Sequence, residues 1–193
     1  HAFDYDKLNG KKIEVRLAKK NEKILCLNNE LKKLSNQDIV IADSKGPIAI
    51  AGVIGGLNSH VDENTKNILV ESAIFDEVFI RRTAKKHEYS KEASKRFERG
   101  IDFNNVLFVM DKFSELLVNL SGGEISSDYI DITSKKFKEV VIEFNINKCN
   151  EFLGTLLSNN DIEKILSKLS ISFNERDGKY LCTIPSYRND ITR

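Results

Sequence analysis

Two short apolar runs constrain this chain more than anything else in it. Pro47–Ile54 (PIAIAGVI) carries no charge and ends in Gly55-Gly56, and Asn67–Ala73 (NILVESA) is interrupted only by Glu71. Uncharged runs this short, bounded by turn residues and rich in Ile and Val, read as buried central strands. Lys12–Lys20, Lys23–Leu27 and Asp38–Asp43 read as further strands, with Asn28-Asn29 as a turn. Asp76 is placed to N-cap a helix, and Ser90 to cap a second. The clearest helix runs from Asn105 to Leu120, with Val106, Val109, Met110, Phe113, Leu116, Leu117 and Leu120 at three-and-four spacing and Gly122 to end it. That stripe is expected to pack in the core.

Strand signals return at Glu124–Ile130 and Val140–Phe144. The polar stretch Thr133-Ser134-Lys135-Lys136 between them marks the expected boundary between a unit of residues 1–134 and a second of residues 135–193. The second unit offers a helix from Asn160 or Asp161 to Leu169, then a hairpin of Ile171–Phe173 and Tyr180–Ile184 about the turn Arg176-Asp177-Gly178. The expected class is α+β, with mixed or antiparallel sheets and helices packed on one side, followed by a small truncated α+β unit.

At 193 residues the chain has room for one domain and part of another, at roughly 150 residues each. No uncharged apolar run approaches the length of a bilayer span, which points to a soluble chain without membrane contact. Cys26, Cys149 and Cys182 are odd in number and scattered, with no metal or disulfide spacing, as expected in a reducing cytoplasm. A start at His1 without an initiator Met suggests a piece of a longer polypeptide. Charge is concentrated in one place: Arg81–Arg99 holds eight Lys or Arg against three Glu, while the whole chain has a formal net charge of +1. Such a stretch can sit against phosphates, with Arg82, Lys86, Lys95 and Arg99 as the candidate exposed cations, or can simply be a pair of solvated amphipathic helices.

Ala51-Gly52-Val53-Ile54-Gly55-Gly56 lets a ligand approach the backbone closely, but it lacks the Gly-Lys-Ser/Thr of a phosphate loop, and a tight turn is the competing reading. Period-two alternation puts Glu71 on the face of Leu69 and Ala73, where a carboxylate must be paired or must receive hydrogen bonds. A structural salt bridge and a ligand role both satisfy that demand. His1, His60 and His87 show no metal spacing.

In order, the motifs His1-Ala2-Phe3-Asp4, AGVIGG, NILVESAIFD, IRRTAKK, EASKRFERG and Pro185-Ser186-Tyr187-Arg188-Asn189-Asp190-Ile191 resemble the beta subunit of bacterial-type phenylalanyl-tRNA synthetase. The resemblance implies that the first unit is a proofreading module that hydrolyses tyrosine wrongly attached to the phenylalanine tRNA. A hydrophobic phenylalanine pocket cannot strongly reject a near-isostere carrying one more hydroxyl, so a second site must read that hydroxyl. Carried over by motif, the hydroxyl-reading Glu is Glu71, the pocket glycines are Gly52 and Gly55, the histidine is His1, and Glu92 and Ala93 keep the pocket pattern. Where the family commonly has Thr, this chain has Lys91, a cation able to pair with Glu71 or to repel the substrate's amine.

No Ser, Cys or Thr in these motifs has a base placed beside it, which favours direct attack of water over a covalent intermediate. The Gly52 and Gly55 N–H groups are candidates to steady the oxyanion, and His1 to orient water, amine or ribose. The second unit resembles the opening of the next domain, of a fold like small DNA-binding modules. Its Asp190 matches one magnesium ligand of the family, but a single carboxylate is not a magnesium site. The resemblance further implies a cytoplasmic α2β2 enzyme whose alpha subunit uses ATP and magnesium, a ligation that this segment cannot perform. Rivals are a non-catalytic tRNA-binding or scaffolding module with a degenerate pocket, and a free-standing hydrolase of aminoacyl-tRNA.

Overall fold

The computed structural model describes residues 1–127, 129–134, 137–176 and 179–192. The chain divides into two units, His1–Ile101 with Asn105–Ile125, and Asp102–Asn104 with Ser126–Arg193. The class is α+β, and every strand pair among the described residues is antiparallel.

In the first unit β1 (Ala2–Asp4) pairs with β8 (Ile68–Val70). Strands β2 (Glu14–Leu17), β5 (Ile39–Ala42), β6 (Pro47–Ile50) and β7 (Ile54–Gly55) form one sheet in the order β2-β5-β6-β7. A separate hairpin joins β3 (Lys23–Leu25) to β4 (Leu31–Lys33). The core gathers Phe3, Val40 and Ile48, all at 0% exposure, with Ile24, Ile41, Ile50 and Ile80. Full burial of one such side chain contributes about 1.5–3 kcal/mol, which is why the uncharged 47–50 run takes an interior position in the sheet.

Helix α1 (Glu77–His87) starts at Asp76, whose Oδ1 accepts the N–H groups of Val78 and Phe79 at 3.0 and 3.1 Å. Its buried face is Ile80, Thr83, Ala84 and His87, and it ends at Glu88 in the left-handed region. That face carries polar groups because Asp38, only 1% exposed, waits beneath it. Asp38 accepts hydrogen bonds from the Ser35 N–H (2.7 Å), Thr83 Oγ1 (3.1 Å) and Lys86 Nζ (2.7 Å), and lies 3.2 Å from His87 Nε2. Helix α2 (Glu92–Phe97) is capped from within, since Ser94 Oγ accepts the Lys91 N–H at 3.0 Å and donates to the Tyr89 carbonyl at 2.9 Å.

The second unit packs β9 (Val140–Asn145), β10 (Ser172–Arg176) and β11 (Lys179–Ile184) in the order β10-β11-β9. Helix α4 (Ile146–Leu153) is framed by the Asn145 cap and Gly154, and α5 (Asn159–Lys168) by a reciprocal Ser158–Asp161 capping box. Tyr180 fills the core at 0% exposure beside Ile171, Cys182 and Ile184.

Several sequence expectations are corrected. Pro47–Ile54 is not one strand: the chain reverses at Ala51–Val53, with Gly52 at φ +65°, and returns as β7, so the glycine motif is a hairpin turn. Strand β8 is half-buried in a two-stranded pair and is not a central strand. The second helix is capped at Lys91 instead of Ser90, because Ser94 supplies the capping oxygen. Residues 106–121 do form a helix, α3 (Val106–Ser121), yet none of its residues is buried, and Val109, Phe113, Leu116 and Leu120 are 41–79% exposed. Spacing shows that an apolar face exists and does not show what covers it. The described residues of Glu124–Ile130 form no strand: they lack a partner ladder, and Ile130 is 88% exposed. Lys135 and Lys136 of the expected boundary, and Asp177 and Gly178 of the expected turn, lie outside the described residues.

Candidate active site

The first residue extends the β1·β8 ladder by one pair. The His1 nitrogen donates to the Glu71 carbonyl at 2.8 Å, and the Glu71 N–H donates to the His1 carbonyl at 2.7 Å. Directly opposed, doubly bonded residues of an antiparallel pair present their side chains on one face. Phe3, two residues on, shares that face and meets the His1 ring edge to face with centroids 4.6 Å apart.

The His1 imidazole lies over Gly55. A Cβ on Gly55 would fall 2.8 Å from both Cε1 and Nε2 of His1 and 3.1 Å from Leu27 Cδ1. Glycine is therefore required here by close approach. Leu27 is brought in by the β3–β4 hairpin, whose tip is stitched to β7 by the Leu27 N–H donating to the Gly55 carbonyl at 3.0 Å and by a Cys26–Gly56 bridge. Sequence reasoning misses Leu27 because only this nonlocal bridge places it; the Asn28-Asn29 turn is the one local signal. Gly52 has a different environment, since a Cβ there would meet Ile80 Cδ1 and the Phe97 ring at 3.2 Å. Among the described residues, its N–H donates to no protein acceptor.

Glu71 is half-buried, and among the described residues no protein donor reaches its carboxylate. Burial pushes that carboxyl above its ordinary value. A desolvated acceptor without a donor is an incomplete arrangement that a ligand hydroxyl can complete. A phenol–glutamate bond also occurs at the hairpin, but on an exposed carboxylate: the Tyr89 phenol donates to Glu30 Oε2 at 2.7 Å, and Lys32 pairs with the same oxygen at 2.8 Å.

The remaining candidates lie elsewhere. Glu92 and Ala93 are exposed in the first turn of α2, where Glu92 faces Arg96 at 3.7 Å. Lys91 is exposed, and among the described residues no ion pair joins it to Glu71. Of the candidate cations, Arg82, Lys95 and Arg99 are exposed, whereas Lys86 is committed to Asp38 and Ser35. Asp190 is held by Arg188 through two bonds of 2.8 Å, which occupy both its oxygens. No cluster of three or more His, Cys, Asp or Glu that could hold a metal ion occurs among the described residues. No described helix is long and apolar enough to cross a membrane.

A family model described as "B3/4 domain" matches residues 1–122, and one described as "tRNA synthetase B5 domain" matches residues 142–193. The chain is 42% identical over 193 residues to the phenylalanine-tRNA ligase beta subunit of Protochlamydia amoebophila, covering 99% of this chain and 24% of that protein. The same-named protein of Fusobacterium nucleatum is 42% identical over 194 residues, covering 100% of this chain and 24% of its own length. This chain thus spans 24% of the length of the curated relatives it matches. Among solved structures, an N-terminal fragment of the phenylalanyl-tRNA synthetase beta subunit from Pyrococcus horikoshii aligns with TM-score 0.48 and 16% identity, covering 100% of this chain and 55% of that one. With residues 1–122, more than half its length, matched by the first model and residues 142–193 by the second, the chain belongs to the B3/4 domain family and is similar throughout to phenylalanine-tRNA ligase beta subunits.

Proposed function

We propose that the first unit hydrolyses tyrosine mischarged on the phenylalanine tRNA, as the editing part of a phenylalanine-tRNA ligase beta subunit. The observation that carries this reading is the half-buried Glu71 carboxylate, without a protein donor among the described residues, opposite His1, whose imidazole closes over Gly55. A tyrosine phenol that donates to Glu71 satisfies it, while phenylalanine in the same place leaves it desolvated and unpaired. That difference gives discrimination on the scale of about 1–3 kcal/mol per unmade bond. In this reading the ester carbonyl faces the Gly52 N–H, and His1 orients the attacking water or the substrate amine. Water attacks directly, since among the described residues no nucleophile–base pair stands at the site.

The whole protein would then act as a cytoplasmic beta subunit beside an alpha subunit in an α2β2 ligase that uses ATP and magnesium. The editing unit in this reading is the first unit, which ends at Ile125, nine residues before the boundary expected from the sequence at residue 134. A non-catalytic tRNA-binding role is favoured only by Lys91, where the family commonly has Thr. Incubating tyrosyl-tRNA and phenylalanyl-tRNA with the full-length protein tests the reading. Release of tyrosine well above the uncatalysed rate, with phenylalanine retained, is expected; equal, background rates for both would leave only the tRNA-binding role.

A further inference from the structure

Beside β2 and the turn between β5 and β6 lies a cleft of about 300 Å³, lined by Lys12, Arg16, Lys19 and Lys45 together with Glu14, Glu22 and Asp43. At roughly 30 Å³ per water it has room for about ten, enough for a hydrated anion. The formal charges nearly cancel, but the partners do not. Glu22 is held by the Arg16 guanidinium through bonds of 2.7 and 2.9 Å and also accepts the Lys19 N–H at 2.6 Å. Asp43 is consumed by Asn9, which gives it both its N–H (2.9 Å) and its side-chain amide (2.7 Å), and by the N–H groups of Lys45 (2.8 Å) and Gly46 (3.1 Å). Glu14 is exposed and lies 3.9 Å from Arg16 Nε.

Lys12, Lys19 and Lys45 are exposed, and among the described residues their ammonium groups make no hydrogen bond or ion pair. Arg16 Nε is the one buried side-chain polar atom without a hydrogen-bond partner among those residues, with Glu14 3.9 Å away. Three uncommitted ammonium groups around an oriented guanidinium, with Glu22 and Asp43 already occupied and only Glu14 left free among the lining acids, make a surface that attracts anions.

We propose that this cleft binds phosphate groups, either phosphodiesters of an RNA chain or free phosphate. Lys12, Lys19 and Lys45 supply the mobile charge, and the Arg16–Glu22 pair supplies a fixed floor. Lysine suits the task, since phosphate contacts position a nucleic acid without reading its sequence. The RNA source rests on the editing reading; the phosphate chemistry does not.

The test is a triple variant, Lys12→Gln, Lys19→Gln and Lys45→Gln, in the full-length protein. Its melting transition should match the parent, since all three side chains are exposed. For tRNA binding, the slope of log affinity against log salt should become shallower by about 0.7–0.9 for each phosphate that is no longer neutralised, up to about 2–3 in all. In a second arm, inorganic phosphate is titrated while the amide resonances of Lys45 and Gly46 are followed. A shallower slope without a phosphate response supports the RNA source, and a saturable phosphate response that disappears in the variant supports the free anion. An unchanged slope together with no phosphate response overturns the proposal. Tyrosyl-tRNA hydrolysis is measured separately: its absence beside a changed slope counts against editing and not against the cleft.

Discussion

Asp38 and Glu71 are both carboxylates drawn into the first unit, and they are satisfied in opposite ways. Asp38 has donors from a loop and from α1; burial pushes its carboxyl up, but His87, Lys86 and the Ser35 amide outweigh that and hold it well below the usual carboxylate range. Glu71 has no such donors among the described residues, and its carboxyl moves upward. The first pattern ties two segments together, and the second leaves an acceptor open to an incoming donor. Acidity and partial burial alone do not distinguish a brace from a receptor; the supply of donors does.

The comparison breaks hardest at Asp38. Asp38→Ala strands His87 and Thr83 without their acceptor and should cost about 3–5 kcal/mol of stability, read from chemical denaturation. Glu71→Ala should leave the denaturation curve near that of the parent while slowing tyrosyl-tRNA hydrolysis by the equivalent of about 1–3 kcal/mol. A stability loss at Glu71 as large as that at Asp38 would make both residues braces.

Stability against pH sharpens the contrast. Asp38, ordinarily 3.8, titrates lower in the fold, so its contribution is fully present above pH 3.8 and is lost as pH falls through the folded value. Glu71, ordinarily 4.5, titrates higher, so its ionisation imposes a cost that is absent below pH 4.5 and sets in as pH rises through the folded value. Relative to the parent, Asp38→Asn should therefore be weakest at neutral pH and recover in acid, and Glu71→Gln should gain as pH rises above 4.5. Melting temperatures followed from acid to neutral pH check both signs.

The two glycines of the turn give a smaller version of the same distinction. Gly52 sits at φ +65° against Ile80 and Phe97, so Gly52→Ala should cost about 1–2 kcal/mol of stability through backbone strain. Gly55→Ala should mainly displace the His1 imidazole and show itself in hydrolysis. The smallest effect is expected at Lys91. Exposed and unpaired with Glu71, it should tolerate Lys91→Thr with less than about 0.5 kcal/mol change in stability and an unchanged hydrolysis rate. A faster variant would mean that the ammonium reaches the substrate.

Local signals are legible in the sequence and nonlocal ones are not. The Asp76 cap, the extent of α3 and the β10–β11 hairpin follow from neighbours a few residues apart. At Gly52 the sequence supports a tight turn and a ligand loop alike, and only the Ile50–Ile54 pairing decides between them. The exposure of Phe113 and Leu116 is illegible because periodicity reports a face without its partner. At the site, family resemblance points to His1, Gly55 and Glu71, while their meeting depends on a ladder spanning 70 positions and on a glycine that leaves room for an imidazole. The lysines of the cleft, spread from residue 12 to residue 45, raise no local charge signal at all.

The Tyr89–Glu30 bond has one more consequence. Burial, with Glu30 as acceptor, pushes the Tyr89 phenol up, while Lys32, Tyr89 and Asn28 hold Glu30 at about 2. The domain thus already holds a tyrosine hydroxyl on a glutamate, there an exposed one that Lys32 also pairs. A tyrosine docked on the half-buried Glu71 would make the same bond farther from water and without that cation.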